Sequence, residues 1–437
     1  MRQNSANINI IPPCTKGGFA FFKYLAFPLY FFIFTVSSLF ADELILSDLI
    51  AEAQKNNNDI LVSGSKELSA GYRIPQAGSL PDPMLMFGYE NEGVRDLYTF
   101  NDEMAADSKW MFSCSQMLPY PGKLALNSDM ASKDAEGIKA MTDALRLKTT
   151  ARVKELYYEL FLTYKNLDLL NDKASLLKGI EDAALSRYST GMAPQQEVLM
   201  AQTEKYMLLE KEEMLKQKIQ SLEAMLNAVL GRDINSPLGR PQEVMPTSFT
   251  YTLVDLINTA MNNSPEIKAQ GKMIQASEAK IKMSEKEFYP DFTVTGNYSA
   301  KNKYYEDMWG LTTTINIPLF YKTKQRQALL EAEARRSQAE LELQSMQLMI
   351  SSAIRDNYSM LSSSAKLMEI YKDALIPKTA QDFDSSLSGY ISGKVEAMTV
   401  ISRLKSRIDY EALYWQQFIE REKAIARLEA ITTVKSQ

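Results

Sequence analysis

The chain has 437 residues, 24% of them charged, a formal net charge of −5, no histidine and two cysteines, Cys14 and Cys114. Without histidine there is no Ser-His-Asp or Cys-His pair, no HExxH zinc helix and no two-histidine iron site. The Gly-Lys pairs Gly122–Lys123 and Gly393–Lys394 lack the upstream glycine and following Ser/Thr of a phosphate loop, so enzymatic readings find little support.

Arg2, Lys16 and Lys23 precede an apolar run that ends at Ala41, before Asp42–Glu43. That is the layout of a secretory signal over residues 1–41, with cleavage after Ala41; an uncleaved anchor is the alternative. Removing its three positive charges takes the net charge from −5 to −8 and leaves Cys114 alone, so no internal disulfide forms. Beyond Ala41 no stretch approaches 18 consecutive apolar residues, so any membrane crossing uses strands.

The remaining sequence reads as one unit written twice, over 42–240 and 241–437. Leu46-Ser-Asp48-Leu49-Ile50 matches Leu253-Val-Asp255-Leu256-Ile257 at an offset of 207. Pro81-Asp82 matches Pro290-Asp291, Trp110, Pro119 and Lys123 match Trp309, Pro318 and Lys322, and Tyr188-x-x-Gly191 matches Tyr390-x-x-Gly393. Collinear blocks at nearly constant offset mark a duplicated structural unit. Each unit reads helix, hairpin, long helix, turn, helix. The first hairpin carries about ten extra residues, mostly acidic and polar, within Glu90–Asp107.

The long helix after the first hairpin shows heptad spacing. Val153, Leu160, Leu167 and Ala174 recur every seventh residue, as do Leu156, Thr163, Leu170 and Leu177, and Ile401, Ile408 and Trp415 continue the pattern in the last helix. The second hairpin alternates with period two. Along Asp291–Ser299, Phe292, Val294, Gly296 and Tyr298 oppose Thr293, Thr295, Asn297 and Ser299. Along Trp309–Pro318, Trp309, Leu311, Ile315 and Ile317 oppose Gly310, Thr312, Thr314 and Asn316. A soluble sheet or a strand pair of a transmembrane barrel both produce this pattern. Tyr289, Tyr298, Tyr304, Tyr305, Trp309, Phe320 and Tyr321 stand near the strand ends, where interfacial aromatics belong.

Lengths favour the barrel. Pro119 to Tyr188 and Pro318 to Tyr390 each span ~100–110 Å as helix, and Gly191–Leu230 spans ~60 Å. A leading helix over about 253–288 adds ~55 Å. Stacked on the Gly191–Leu230 helix, it matches one long helix, with the Pro/Gly-rich linker Gly231–Thr250 halfway; the final helix stacks likewise on the N-terminal one. The expected fold is mainly α with a small β part: long coiled-coil helices with both hairpins at one end. Four strands cannot close a barrel and an open edge cannot face lipid, whereas three chains supply twelve.

Both hairpins, the Tyr-x-x-Gly turns and the closing stretch from Tyr390-Ile-Ser-Gly393 to Leu428-Glu429-Ala430 make the mature chain resemble the TolC-like outer-membrane efflux proteins. Leu80-Pro-Asp-Pro-Met84 through Gly88-Tyr-Glu-Asn91, with Gln116-Met-Leu-Pro-Tyr-Pro-Gly-Lys123, looks most like the heavy-metal (CzcC/CusC-like) branch. The resemblance implies a homotrimer with a shared twelve-stranded barrel in outer-membrane lipid and a helical tunnel through the periplasm. It implies docking of the turn end onto a periplasmic adaptor (membrane fusion) protein and an inner-membrane RND-type pump. It implies no catalysis, no cofactor and no nucleic acid. A general drug or type I protein-secretion duct of the same fold is one alternative, and a soluble periplasmic coiled-coil adaptor is another.

The resemblance places the gate and adaptor contacts at the turn end: Tyr188, Gly191, Glu197, Tyr390, Gly393, Lys394 and Glu396. Tyr390 and Glu197 occupy positions that hold the mouth of family members closed. The basic partner expected two residues after the second glycine is Val395 here, with Lys394 one place earlier. The aspartates of the family's mouth ring are Thr399 and Ser402, which leaves Glu396 as candidate ring charge or as plain surface. Carrying the polar face of the second hairpin onto the first points Met84, Met86, Met111 and Met117 into the lumen, as ligands for a soft metal or as adaptable filler. The same mapping turns Cys114 towards lipid.

Overall fold

The computed structural model describes residues 43–91, 108–301 and 303–435. The expected signal at 1–41 and most of the acidic loop in 90–107 lie outside the described residues. The first half of the chain runs α1 (Leu46–Asn56), α2 (Asn58–Gly78), β1 (Met84–Glu90), β2 (Lys109–Leu118), α3 (Lys123–Ser189) and α4 (Gln195–Leu230). The second runs α5 (Leu253–Asn263), α6 (Pro265–Lys286), β3 (Phe292–Lys301), β4 (Met308–Ile315), α7 (Gln325–Ile370), α8 (Ile376–Ile391) and α9 (Ala397–Thr432).

The 67 residues of α3 span ~100 Å. Its counterpart has the same total length but not the same continuity. A π-turn at Tyr371–Leu375 separates α7 from α8, with the Ile376 N–H donating to the Tyr371 carbonyl five residues back. Pro377 explains the break: it has no N–H, and its ring would clash with the carbonyl of Asp373.

The leading helix of each unit is also two helices rather than one. Ser264 is driven to an extended ψ of 124° by Pro265, which opens α6. Asn57 reaches the same ψ in the first unit and caps α2 by accepting from the Ile60 N–H at 3.1 Å.

The stacking order differs from the expected one. The C-terminal end of α4 abuts the α1–α2 break, where the Asn57 side chain donates to the Val229 carbonyl at 2.7 Å and Arg232 pairs with Glu52. The C-terminal part of α9 shares a core with α5, through Leu256, Ala260, Ile425 and Leu428. Each half-length helix thus stacks within its own unit. The linker crosses sideways instead of continuing the stack: Leu44 pairs with Arg240 and Gln242, and Thr247 reaches Glu422 on α9.

Apolar side chains gather in three zones. One holds Leu49, Leu156, Leu160, Leu226 and Phe418 where α1, α3, α4 and α9 meet, the second is the α5–α7–α9 core, and the third lies near the turns. The heptad seam of α3 is buried at Val153, Leu156, Leu160, Thr163 and Leu177 but not at Ala174, which is exposed. Lys173 takes the inward position there and pairs with Glu204 of α4 at 2.9 Å. The carboxylate offsets the cost of burying the ammonium.

The four strands form one antiparallel sheet in the order β1-β2-β3-β4. The two units join through β2 and β3, where Ser115 and Thr295 hydroxyls meet at 2.9 Å. β4 ends at Ile315, short of Pro318, which has no N–H to give a ladder. Leu85, Phe87, Phe112, Cys114, Tyr298, Trp309, Leu311 and Ile315 share one face, and hydroxyl, amide and thioether side chains share the other with Glu90, Lys109 and Lys301. Phe87, Leu311 and Trp309 are 73%, 70% and 83% exposed, so among the described residues nothing covers the apolar face. No described helix is long and apolar enough to cross a membrane. The outer edges of β1 and β4 pair with no strand among the described residues.

Candidate functional site

At the end far from the sheet, the two hairpin turns of the helices have the same backbone. The Met192 N–H donates to the Arg187 carbonyl at 2.8 Å and the Gly191 N–H to that of Tyr188 at 3.0 Å. In the second turn Lys394 donates to Gly389 at 2.8 Å and Gly393 to Tyr390 at 3.0 Å. This double closure requires a left-handed residue, supplied by Gly191 (φ 72°) and Gly393 (φ 78°). The following helices start from matching caps, Pro194 and Glu396, both with ψ 153°.

The side chains on these twin backbones do different things. Tyr390 is fully buried within the Leu177, Ile180, Phe383, Val400 and Leu404 cluster, whereas Tyr188 is exposed. The Tyr390 hydroxyl donates to Glu197 at 3.1 Å, so α4 and α8 are tied across the two units. Burial pushes the Tyr390 phenol up to about 12, helped by the Glu197 carboxylate and opposed by Arg187. Arg187 donates to the Tyr390 carbonyl at 2.6 Å and lays its guanidinium 4.6 Å from the ring centroid.

Arg187 is therefore the cation of this cluster, and the sequence reading missed it by looking beyond the second glycine. Lys394 and Glu396 are exposed at the second turn. The available signal was position: Arg187 lies one turn before Gly191, and its counterpart in the second unit is Gly389. A side chain at Gly389 would meet Val395, whose Cγ2 lies 2.6 Å from the ideal Cβ position.

At the sheet end, Lys123 is buried where β2 passes into α3 and donates to Asp291 at 2.8 Å. Asp291 also accepts from the Tyr120 N–H at 2.7 Å, and Tyr120 stacks on Tyr289 with centroids 4.5 Å apart. This knot fixes both hairpins to the helices. The sheet register places Met84, Met86, Met111 and Met117 on the face of Thr293, Thr295, Asn297 and Ser299, and places Cys114 on the opposite face. Among the described residues no three His, Cys, Asp or Glu side chains converge on a metal position.

Residues 256–402, from α5 into α9, match the family model described as outer membrane efflux protein. No curated protein matches. CusC is similar in structure, with a TM-score of 0.77 over 90% of this chain and 93% of its own at 16% identity. The outer-membrane protein VceC of Vibrio cholerae gives 0.74 over 89% and 95%, also at 16% identity. The CmeC outer-membrane channel of Campylobacter jejuni gives 0.73 over 89% and 85% at 14% identity. The fold is that of outer-membrane channels.

Proposed function

We propose that the chain is one subunit of a passive exit duct in the outer membrane of a Gram-negative bacterium. A leader at 1–41 is removed on export, and the duplicated units 42–240 and 241–437 build one third of the duct. Three copies pair the free edges of β1 and β4 into a twelve-stranded barrel. The observation that carries this reading is the uncovered apolar sheet face mounted on ~100 Å helices. Water would leave Trp309, Phe87 and Leu311 unburied, whereas lipid removes that cost.

The helices form a tunnel through the periplasm, and the turn end, with Gly191, Gly393, Tyr188, Lys394 and Glu396 at its surface, receives a periplasmic adaptor and an inner-membrane RND-type pump. Tyr390, Glu197 and Arg187 hold the mouth closed by tying α3, α4 and α8 together. The duct performs no catalysis and uses the pump's energy. The Pro-Asp-Pro-Met and Pro-Tyr-Pro-Gly-Lys stretches favour the heavy-metal branch, and metal cations or small toxic compounds are the cargo.

Membrane fractionation with chemical cross-linking tests the assignment. Recovery as a trimer in outer membranes supports it, and recovery as a soluble periplasmic protein overturns it.

A further inference from the structure

We infer that the first hairpin holds two adjoining soft-metal positions, one between the thioethers of Met84 and Met117 and one between those of Met86 and Met111, each taking Cu(I) or Ag(I). Their place in a lumen rests on the exit-duct reading; their metal chemistry does not. In the register, Met84 faces Ser115 and Met86 faces Ser113. Met84 is thus diagonal to Met117, and Met86 diagonal to Met111. Diagonal neighbours lie ~7–8 Å apart, within reach of long side chains. Met84 and Met86 follow each other on one face of the strand. Methionine has three rotatable bonds, so the two sulfurs of each diagonal pair can meet, whereas Met111 and Met117, ~20 Å apart along β2, serve different positions.

Gly88 makes room for Met111. It stands directly opposite Met111, and the Met111 methyl lies 3.2 Å from where a Gly88 Cβ would be. Met111 thus folds across β1 over Gly88. Filler methionines sit inside cores, but Met84, Met86 and Met117 are 64%, 54% and 36% exposed on a face they share with Ser, Thr and Asn, and with Glu90, Lys109 and Lys301 at its far end. The duplicated hairpin has Thr293 and Thr295 where this one has Met84 and Met86. The second hairpin carries one methionine on this face, Met308 opposite Ser299, so the thioether pairs are a property of the first hairpin.

The donor set selects the metal. Thioethers are ligands for soft monovalent ions and poor ones for Zn(II) or Mg(II). The carboxylate on this face, Glu90, is taken up by Lys109 at 2.8 Å. Exposed thioethers without a thiolate or imidazole bind loosely, which suits a site that passes an ion on.

The test uses the purified mature protein, without residues 1–41, in detergent, with Cys114→Ser to remove its remaining thiol and with methyl-labelled methionine. Ag(I) is the probe because it is redox-stable, and Zn(II) is the control. The expected result is that Ag(I) shifts the methyl signals of these four methionines ahead of the others and Zn(II) shifts none. A variant with all four changed to Leu loses the Ag(I) uptake. No shift, or one spread evenly over the chain's methionines, overturns both positions even if the Leu variant does not fold. Recovery of the protein outside the outer membrane would overturn the duct reading but leave the titration result standing.

Discussion

At the centre of each hairpin a glycine faces a longer side chain on the neighbouring strand. Met111 lies over Gly88 in the first, and in the second the Asn297 amide lies over Gly310, 2.9 Å from its ideal Cβ position. The helix turns repeat the lesson. Their hydrogen bonds agree to a tenth of an ångström, yet one tyrosine is buried and bonded to a carboxylate while the other faces solvent. The matched positions share backbone geometry, which glycines and prolines set locally. Their side-chain chemistry, which depends on neighbours from both halves of the chain, differs.

Pairwise substitutions at matched positions break or sharpen that contrast. The largest difference is expected at the tyrosines. Tyr390→Ala removes a fully buried ring and costs about 3–5 kcal/mol, whereas Tyr188→Ala stays within about 0.5 kcal/mol. Thermal unfolding of the detergent-solubilised protein measures both, and equal losses would contradict the asymmetry. Next come the matched lysines at the helix–sheet junction. Lys123→Ala leaves Asp291 without its cation and costs about 2–3 kcal/mol, while exposed Lys322→Ala changes stability by less than about 0.5 kcal/mol.

Gly191 and Gly231 end their helices with the same hydrogen-bond pattern and φ values of 72° and 76°. Gly191→Ala pays only the left-handed conformation, about 1–2 kcal/mol, because no atom lies within 4 Å of its ideal Cβ. Gly231→Ala costs more, because the new methyl overlaps the Asn56 carbonyl. Equal midpoints for the two variants would show that the α1–α4 junction yields freely.

The smallest effect is a titration. The Tyr390 phenol is raised to about 12 from an unfolded value of about 10, so the native state holds its proton more tightly. Its contribution is complete below pH 10 and is lost as pH rises towards 12. Tyr390→Phe costs about 1 kcal/mol at neutral pH, and its stability falls less steeply between pH 10 and 12 than that of the wild type. Parallel pH profiles would remove the hydroxyl from the account.

Much of this architecture could be read from residue spacing. The two-sided alternation of the second hairpin matches the register found, and carrying it onto the first hairpin assigned its faces too. The long helices follow from uninterrupted length between Pro and Gly marks. What could not be read has identifiable causes. The Asn57 break hides inside a helical apolar pattern, because the residue caps the next helix with its own side chain. The π-turn before Pro377 keeps the chain helical, so periodicity registers no stop there. Stacking order was misjudged because the helices are matched in length, and length cannot say which end meets which; Asn57 and Arg232 decide it. Arg187 escaped notice because its partner is a backbone carbonyl in the other unit, 203 residues away.

The central claim is that the uncovered sheet face meets lipid, and Trp309 reports on it directly. The Trp110→Phe, Trp415→Phe variant keeps Trp309 as the only tryptophan. It would be incorporated into vesicles carrying brominated acyl chains. The account predicts strong quenching of Trp309 fluorescence by the bromines and little by aqueous iodide. Quenching by iodide alone, from protein that stays outside the vesicles, would contradict it.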